Sequence, residues 1–170
     1  MITIGIDPGA AGGIAYNLNG KTKCLKMPKD LGDLAQLLNY LKEQGQTLAF
    51  IERLTIRPDD VFMAGGANMG KLYRIQKMMQ NFEQLKAVFD VCDVPYCLVS
   101  PMKWQSGLRV KGEEKADRKR RFKTIAAQRH PEIPITLWNA DALLIMDFGI
   151  QADAKWIRQH VNERKKDLFS

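Results

Sequence analysis

Apolar and polar positions divide this chain into recognisable pieces. Ile2, Ile4 and Ile6 alternate with small or polar residues, then Asp7-Pro8-Gly9 interrupts before Ile14, Ala15 and Tyr16. This reads as a strand over 1–7, a glycine-rich turn and a strand over 12–17. Asn19-Gly20 signals a hairpin into a third strand near 21–27. Leu31, Leu34, Leu37, Leu38 and Leu41 have helical spacing, which predicts a helix over 30–44 ending at Gly45. "TLAFIE" (47–52) is a short apolar run of the buried parallel-strand kind, and 53–68 reads as loop. Leu72, Ile75, Met79, Phe82, Leu85 and Phe89 predict a long helix over 69–92, with a core-facing stripe whose period also suits a dimer seam.

"PYCLVS" (95–100) predicts another buried strand, followed by a short helical turn at Pro101-Met102-Lys103-Trp104. Trp104 is expected as the buried anchor of that turn, with stacking on a nucleic acid as the alternative. Segment 108–115 has a glycine and few apolar anchors and is expected to be mobile. A basic helix then runs to Arg129, an apolar helix covers 138–150, and a charged helix covers 152–167. Hairpin strands followed by βαβ crossovers imply an α/β fold: a mixed five-stranded sheet with helices on both faces, forming one domain over 1–170.

Charge narrows the function. The net charge is +7. Between Lys103 and Arg129, ten Lys and Arg face three acids, so this segment alone carries as much positive charge as the whole chain. Such a concentration favours a polyanion, most simply nucleic acid, over a merely solvated helix face. Cys24, Cys92 and Cys97 lack metal-ligand spacing and read as reduced core residues of a cytosol-like compartment. No signal peptide or membrane-spanning run is expected.

Three acids lie where the pattern says inside. Asp7 ends the first strand, Glu52 ends the fourth, and Asp141 interrupts the apolar helix. Singly, each has an ordinary explanation: a turn former, a strand-end ion pair with Arg53, a helix N-terminal acid. Together they would repel one another unless a divalent cation neutralised them. Mg²⁺ or Mn²⁺ takes such oxygen ligands, and two ions can clamp an in-line phosphodiester displacement.

On "IGIDPGAAGGIA" (4–15), "AFIERL" (49–54), "VPYCLVSPMKWQSGL" (94–108) and "NADALLIMDFG" (139–149), the chain resembles the RuvC-like Holliday-junction resolvases of the RNase H-like superfamily. Segments 63–83 and 100–131 look most like the short resolvases of bacteriophages. The resemblance implies an RNase H-like nuclease domain. It further implies a cytoplasmic homodimer, in a bacterial cell or a phage-infected host, that cuts four-way or branched DNA with two Mg²⁺ per site (Mn²⁺ substituting).

Asp7, Glu52 and Asp141 match the family's metal-binding acids. Lys103 matches its basic position after the strand. Lys115 falls near the family's second lysine, which approaches the scissile phosphate, with Lys111, Arg118 and Lys119 as other holders of that role. Arg120 belongs to the same DNA-facing basic stretch. Phe62 or Met63, after Glu52, would probe the junction centre. The family's fourth acid, three residues before Asp141, is Trp138 here, and Asn139 is the nearest oxygen donor, neutral and weaker as a ligand. Asp147, six residues along the helix, is turned roughly 120° away and cannot stand in.

Three alternatives differ in chemistry. A junction-binding protein with weak or lost cleavage would follow from the missing acid. An RNase H-like ribonuclease would prefer an RNA–DNA hybrid. A sugar-kinase-like ATPase would need a second phosphate loop and a second domain.

Overall fold

The structure is a computed structural model, and it describes residues 1–9, 11–56, 69–108 and 113–161, with the backbone of 62–63 and 66–67. The first three strands, β1 (Ile2–Ile6), β2 (Gly13–Leu18) and β3 (Lys21–Lys26), form an antiparallel meander. Asn19 and Gly20 turn the β2–β3 hairpin with φ of 52° and 74°, the left-handed pair that such a turn requires. Helix α1 (Leu31–Gln44) begins at Asp30, whose carboxylate accepts from Gly32 N at 2.6 Å. It leads to β4 (Thr47–Glu52), parallel to β1.

The region read as loop contains a short ribbon, β5 (Phe62–Met63) against β6 (Gly66–Ala67). Two-residue strands are too short to leave a periodic signal. Helix α2 (Met69–Val91), strand β7 (Tyr96–Val99), the short α3 (Pro101–Trp104), the basic α4 (Lys115–Arg129), the apolar α5 (Ala140–Gln151) and α6 (Ala154–His160) complete the described chain. The five-stranded sheet has the order β3-β2-β1-β4-β7. The expected α/β architecture, a mixed sheet with helices on both faces, is what forms.

Strand alternation sorts the side chains into two cores. Ile2, Ile4, Ile6, Ala49 and Ile51 face α1 and the second half of α2. Leu48, Phe50, Cys97 and Val99 face α5, with Phe122 and Ala126 of α4 in the same core. Phe50 and Phe89, one per face, are fully buried, each worth roughly 2–3 kcal/mol of apolar burial. Gly5 lies directly beneath α5: a Cβ there would meet Ala142 O and Met146 N at 2.3 Å. The absent side chain is what lets helix and sheet approach so closely.

Several expectations shift. Leu72, Ile75 and Met79 are only half-buried, whereas Phe82, Leu85 and Phe89 are buried. Cys24 is half-buried on β3 and packs against the edge of the α5-side core, while Cys92 and Cys97 are buried, and all three are free thiols. Helix α5 starts at Ala140, two residues late, because Trp138 and Asn139 belong to a turn. Helix α6 ends at His160; residues 162–170 of the anticipated longer helix lie outside the described residues. Of the segment expected to be mobile, 109–112 also lie outside them. Its two flanks are clasped by one side chain: Arg121 binds the Glu113 carboxylate with two bonds, 2.7 and 2.6 Å, and donates to Leu108 O. No described helix is long and apolar enough to cross a membrane.

Candidate active site

The parallel register brings the first two acids together. Ile2 lies opposite Thr47 and Ile6 opposite Ile51, so the next step along both strands sets Asp7 beside Glu52. Alternation turns both toward the α5 side: Asp7 follows Gly5 by two, and Glu52 follows Phe50 by two. Helix α5, seated over Gly5, presents Asp141 from its first turn. Turn geometry tethers Asp7, whose N–H donates to Gly13 O at 3.0 Å and whose Oδ1 accepts from Gly9 N at 3.3 Å.

Each acid is hard to ionise there. Burial pushes Glu52 up to about 7, and the charges of Asp7 and Asp141 add to the effect. Burial followed by the charge of Asp7 pushes Asp141 up to about 6, and burial raises Asp7. Lys119 opposes this at all three acids; its Nζ lies 4.0 Å from Asp141 Oδ2. Arg118 also lowers Asp141.

Among the described residues, no group of three or more His, Cys, Asp or Glu is drawn tightly enough to hold an ion as it stands. The donor chemistry nevertheless suits a hard divalent cation: three carboxylates, no sulfur or imidazole, with an ammonium group already lodged against one of them.

The other anticipated residues separate. Lys119, rather than Lys115, reaches the acids; Lys115 is exposed one turn earlier on the same helical face. Arg120 is exposed and paired with Asp117 at 2.6 Å. Lys103 extends over the Trp156 ring, 5.9 Å from its centroid. Lys111 and the side chains of Phe62 and Met63 lie outside the described residues.

The Asn139 side chain, named above as the nearest oxygen donor, is engaged within its own turn. Its Oδ1 accepts from Thr136 N at 2.8 Å and Thr136 Oγ1 at 3.2 Å, and its Nδ2 donates to Pro134 O at 3.1 Å. Both acceptor positions of the amide oxygen are occupied, so the side chain pins the turn before α5. Asp147 is turned away, as its spacing requires, and binds His130 Nε2 at 3.0 Å and Arg129 Nη1 at 3.2 Å.

Sequence reasoning missed one partner of the site: Trp104 Nε1 donates to Glu52 Oε2 at 2.6 Å. The signal was faint but present. Glu52 pairs with Val99, and Ser100-Pro101 starts a helix immediately afterwards, so its first turn lies near Glu52.

No protein-family model matches the chain, and no curated protein matches it. Solved structures do. The RuvC of T. thermophilus in complex with Holliday junction substrate superposes with a TM-score of 0.50 at 14% identity, over 89% of this chain and 95% of that one. A second Thermus thermophilus RuvC structure gives 0.51 at 16% identity, over 86% and 91%. At these identities the likeness establishes the fold: this chain has a RuvC-like, RNase H-like α/β fold.

Proposed function

We propose that the chain is a divalent-metal-dependent endodeoxyribonuclease that cuts four-way or branched DNA, acts as a homodimer in a cytosolic setting, and is of the short bacteriophage-encoded kind. One observation carries the reading: Asp7, Glu52 and Asp141 interact electrostatically at one end of the sheet, with Lys119 and Arg118 of the basic helix turned toward them. The fold shared with RuvC, including one solved on a Holliday junction, supports the choice of substrate.

Asp7, Glu52 and Asp141 are the residues that would hold Mg²⁺ or Mn²⁺, two per site, and the metal, when bound, supplies Lewis acidity and lowers the pKa of water. The chain's own part is positional and electrostatic. Lys119 and Arg118 offset charge gathering on the phosphate, and Lys115 extends that row by one helical turn. Arg120, Lys103 and Lys111 add sequence-independent attraction to DNA, and Phe62 is the candidate for a stacking contact at the junction centre. The first half of α2 leaves Met69, Tyr73 and Met78 exposed and Leu72, Ile75 and Met79 half-covered, an apolar stripe suited to a second copy. Two-fold symmetry would pair the cuts.

A second reading, junction binding without cutting, is favoured by the engagement of Asn139 with Thr136, which leaves three acids where the family has four. Incubation of the full chain with a synthetic four-way junction and Mg²⁺, with linear duplex and RNA–DNA hybrid as controls and gel shifts in Ca²⁺, decides between them. Paired cuts in the junction alone are expected, and Asp7→Asn should bind without cutting. Binding without cutting by the unaltered chain selects the second reading. Preference for the hybrid would make it a ribonuclease, and undiminished cutting by Asp7→Asn would reject the site.

A further inference from the structure

Glu52 is held by a group that neither ionises nor binds metals. The Trp104 indole N–H meets Oε2 at 2.6 Å, and Trp104 is only 3% exposed. An indole N–H is purely a donor. It orients a carboxylate without cancelling its charge and without offering a competing ligand atom, unlike a Lys or Arg in the same place.

The other side of the ring has its own task. Its centroid lies 5.4 Å from that of Phe122, which is buried on α4, the helix that carries Arg118 and Lys119. The indole is itself placed from the strand end beside Glu52. Ser100 Oγ accepts from Lys103 N at 3.3 Å and Pro101 opens the short helix, so little freedom separates Val99 from Trp104.

We infer that Trp104 is a positioning residue: it clamps Glu52 at one oxygen and, through Phe122, seats the basic helix, so that acids and cations keep a common alignment. This rests on the reading of Glu52 as a metal ligand. Partners that orient a ligand from behind typically govern metal affinity by ten- to a hundredfold.

The test uses the full chain. Trp104→Phe keeps a ring against Phe122 and removes only the donor. Mn²⁺ affinity, measured by titration calorimetry, should fall about tenfold or more, while junction binding in EDTA stays within about twofold of the unaltered chain. The indole N–H resonance of Trp104 in the unaltered chain provides a readout that needs no altered core. It should move on Mg²⁺ addition and in Glu52→Gln, with Trp138 and Trp156 as internal references. Equal Mn²⁺ affinity in Trp104→Phe, or a Trp104 resonance indifferent to Mg²⁺ saturation, overturns the inference and leaves the metal reading standing. If the unaltered chain binds no Mn²⁺ at all, both fall together.

Discussion

Helix α5 carries two carboxylates, Asp141 and Asp147, in opposite circumstances. Asp147 is buried against Arg129 and His130 and has a hydrogen bond to each. Asp141 faces Asp7 and Glu52, with Lys119 at 4.0 Å as its nearest compensation. One helix, two acids, and only one of them is matched by its surroundings. A matched carboxylate ties elements together; a mismatched one raises the energy of the fold.

The sharpest break of that comparison is a pair of substitutions. Asp141→Asn should lower junction cutting about a thousandfold, with a melting temperature equal to or above that of the unaltered chain. Asp147→Ala should do the reverse in kind: a stability loss of roughly 2–3 kcal/mol by urea denaturation, because it strands Arg129 and His130. Equal destabilisation by both would erase the distinction.

The next effect concerns pH. Glu52 and Asp141 have folded values of about 7 and about 6, above the ordinary 4.5 and 3.8. The folded chain therefore holds more protons than the unfolded one between about pH 4 and 7, and stability falls as pH rises through that window. Melting in EDTA should show a loss of several kcal/mol from pH 4 to 8. Mg²⁺ should recover it at pH 8 and have little effect at pH 4. A flat profile would mean that the acids are not in conflict.

The smallest effect falls on Asn139→Ala. Loss of the Thr136 contacts should cost about 1 kcal/mol and leave Mn²⁺ affinity unchanged. A tenfold weaker affinity would place Asn139 in the ligand set.

The strands and most helices were legible because their signals are local. Ile2, Ile4 and Ile6 alternate, Asn19-Gly20 turns, and Leu31, Leu34, Leu38 and Leu41 keep helical spacing. The three acids were legible as misfits in an apolar pattern, but their meeting depends on the β1–β4 register, a long-range fact that no local window contains. Lys119 and Lys115 share a helical face, so spacing alone does not separate them. The α2 stripe is continuous in sequence, yet its first half is half-covered. A 23-residue helix runs about 35 Å, whereas a typical strand spans ~17–20 Å, so the helix outruns the sheet that would bury it. Trp104 was legible as a buried anchor, and its bond to Glu52 was not, because a donor's target is set by tertiary packing.

Gly5 gives the closeness of helix and sheet a further meaning. A methyl group there would strike three backbone atoms of α5, and none yields unless the whole helix lifts. Asp141 would ride outward with it, away from Asp7 and Glu52 on the strands below. The residue with no side chain thus acts as the shim between helix and sheet, and the spacing of the three carboxylates is set by what is missing at position 5.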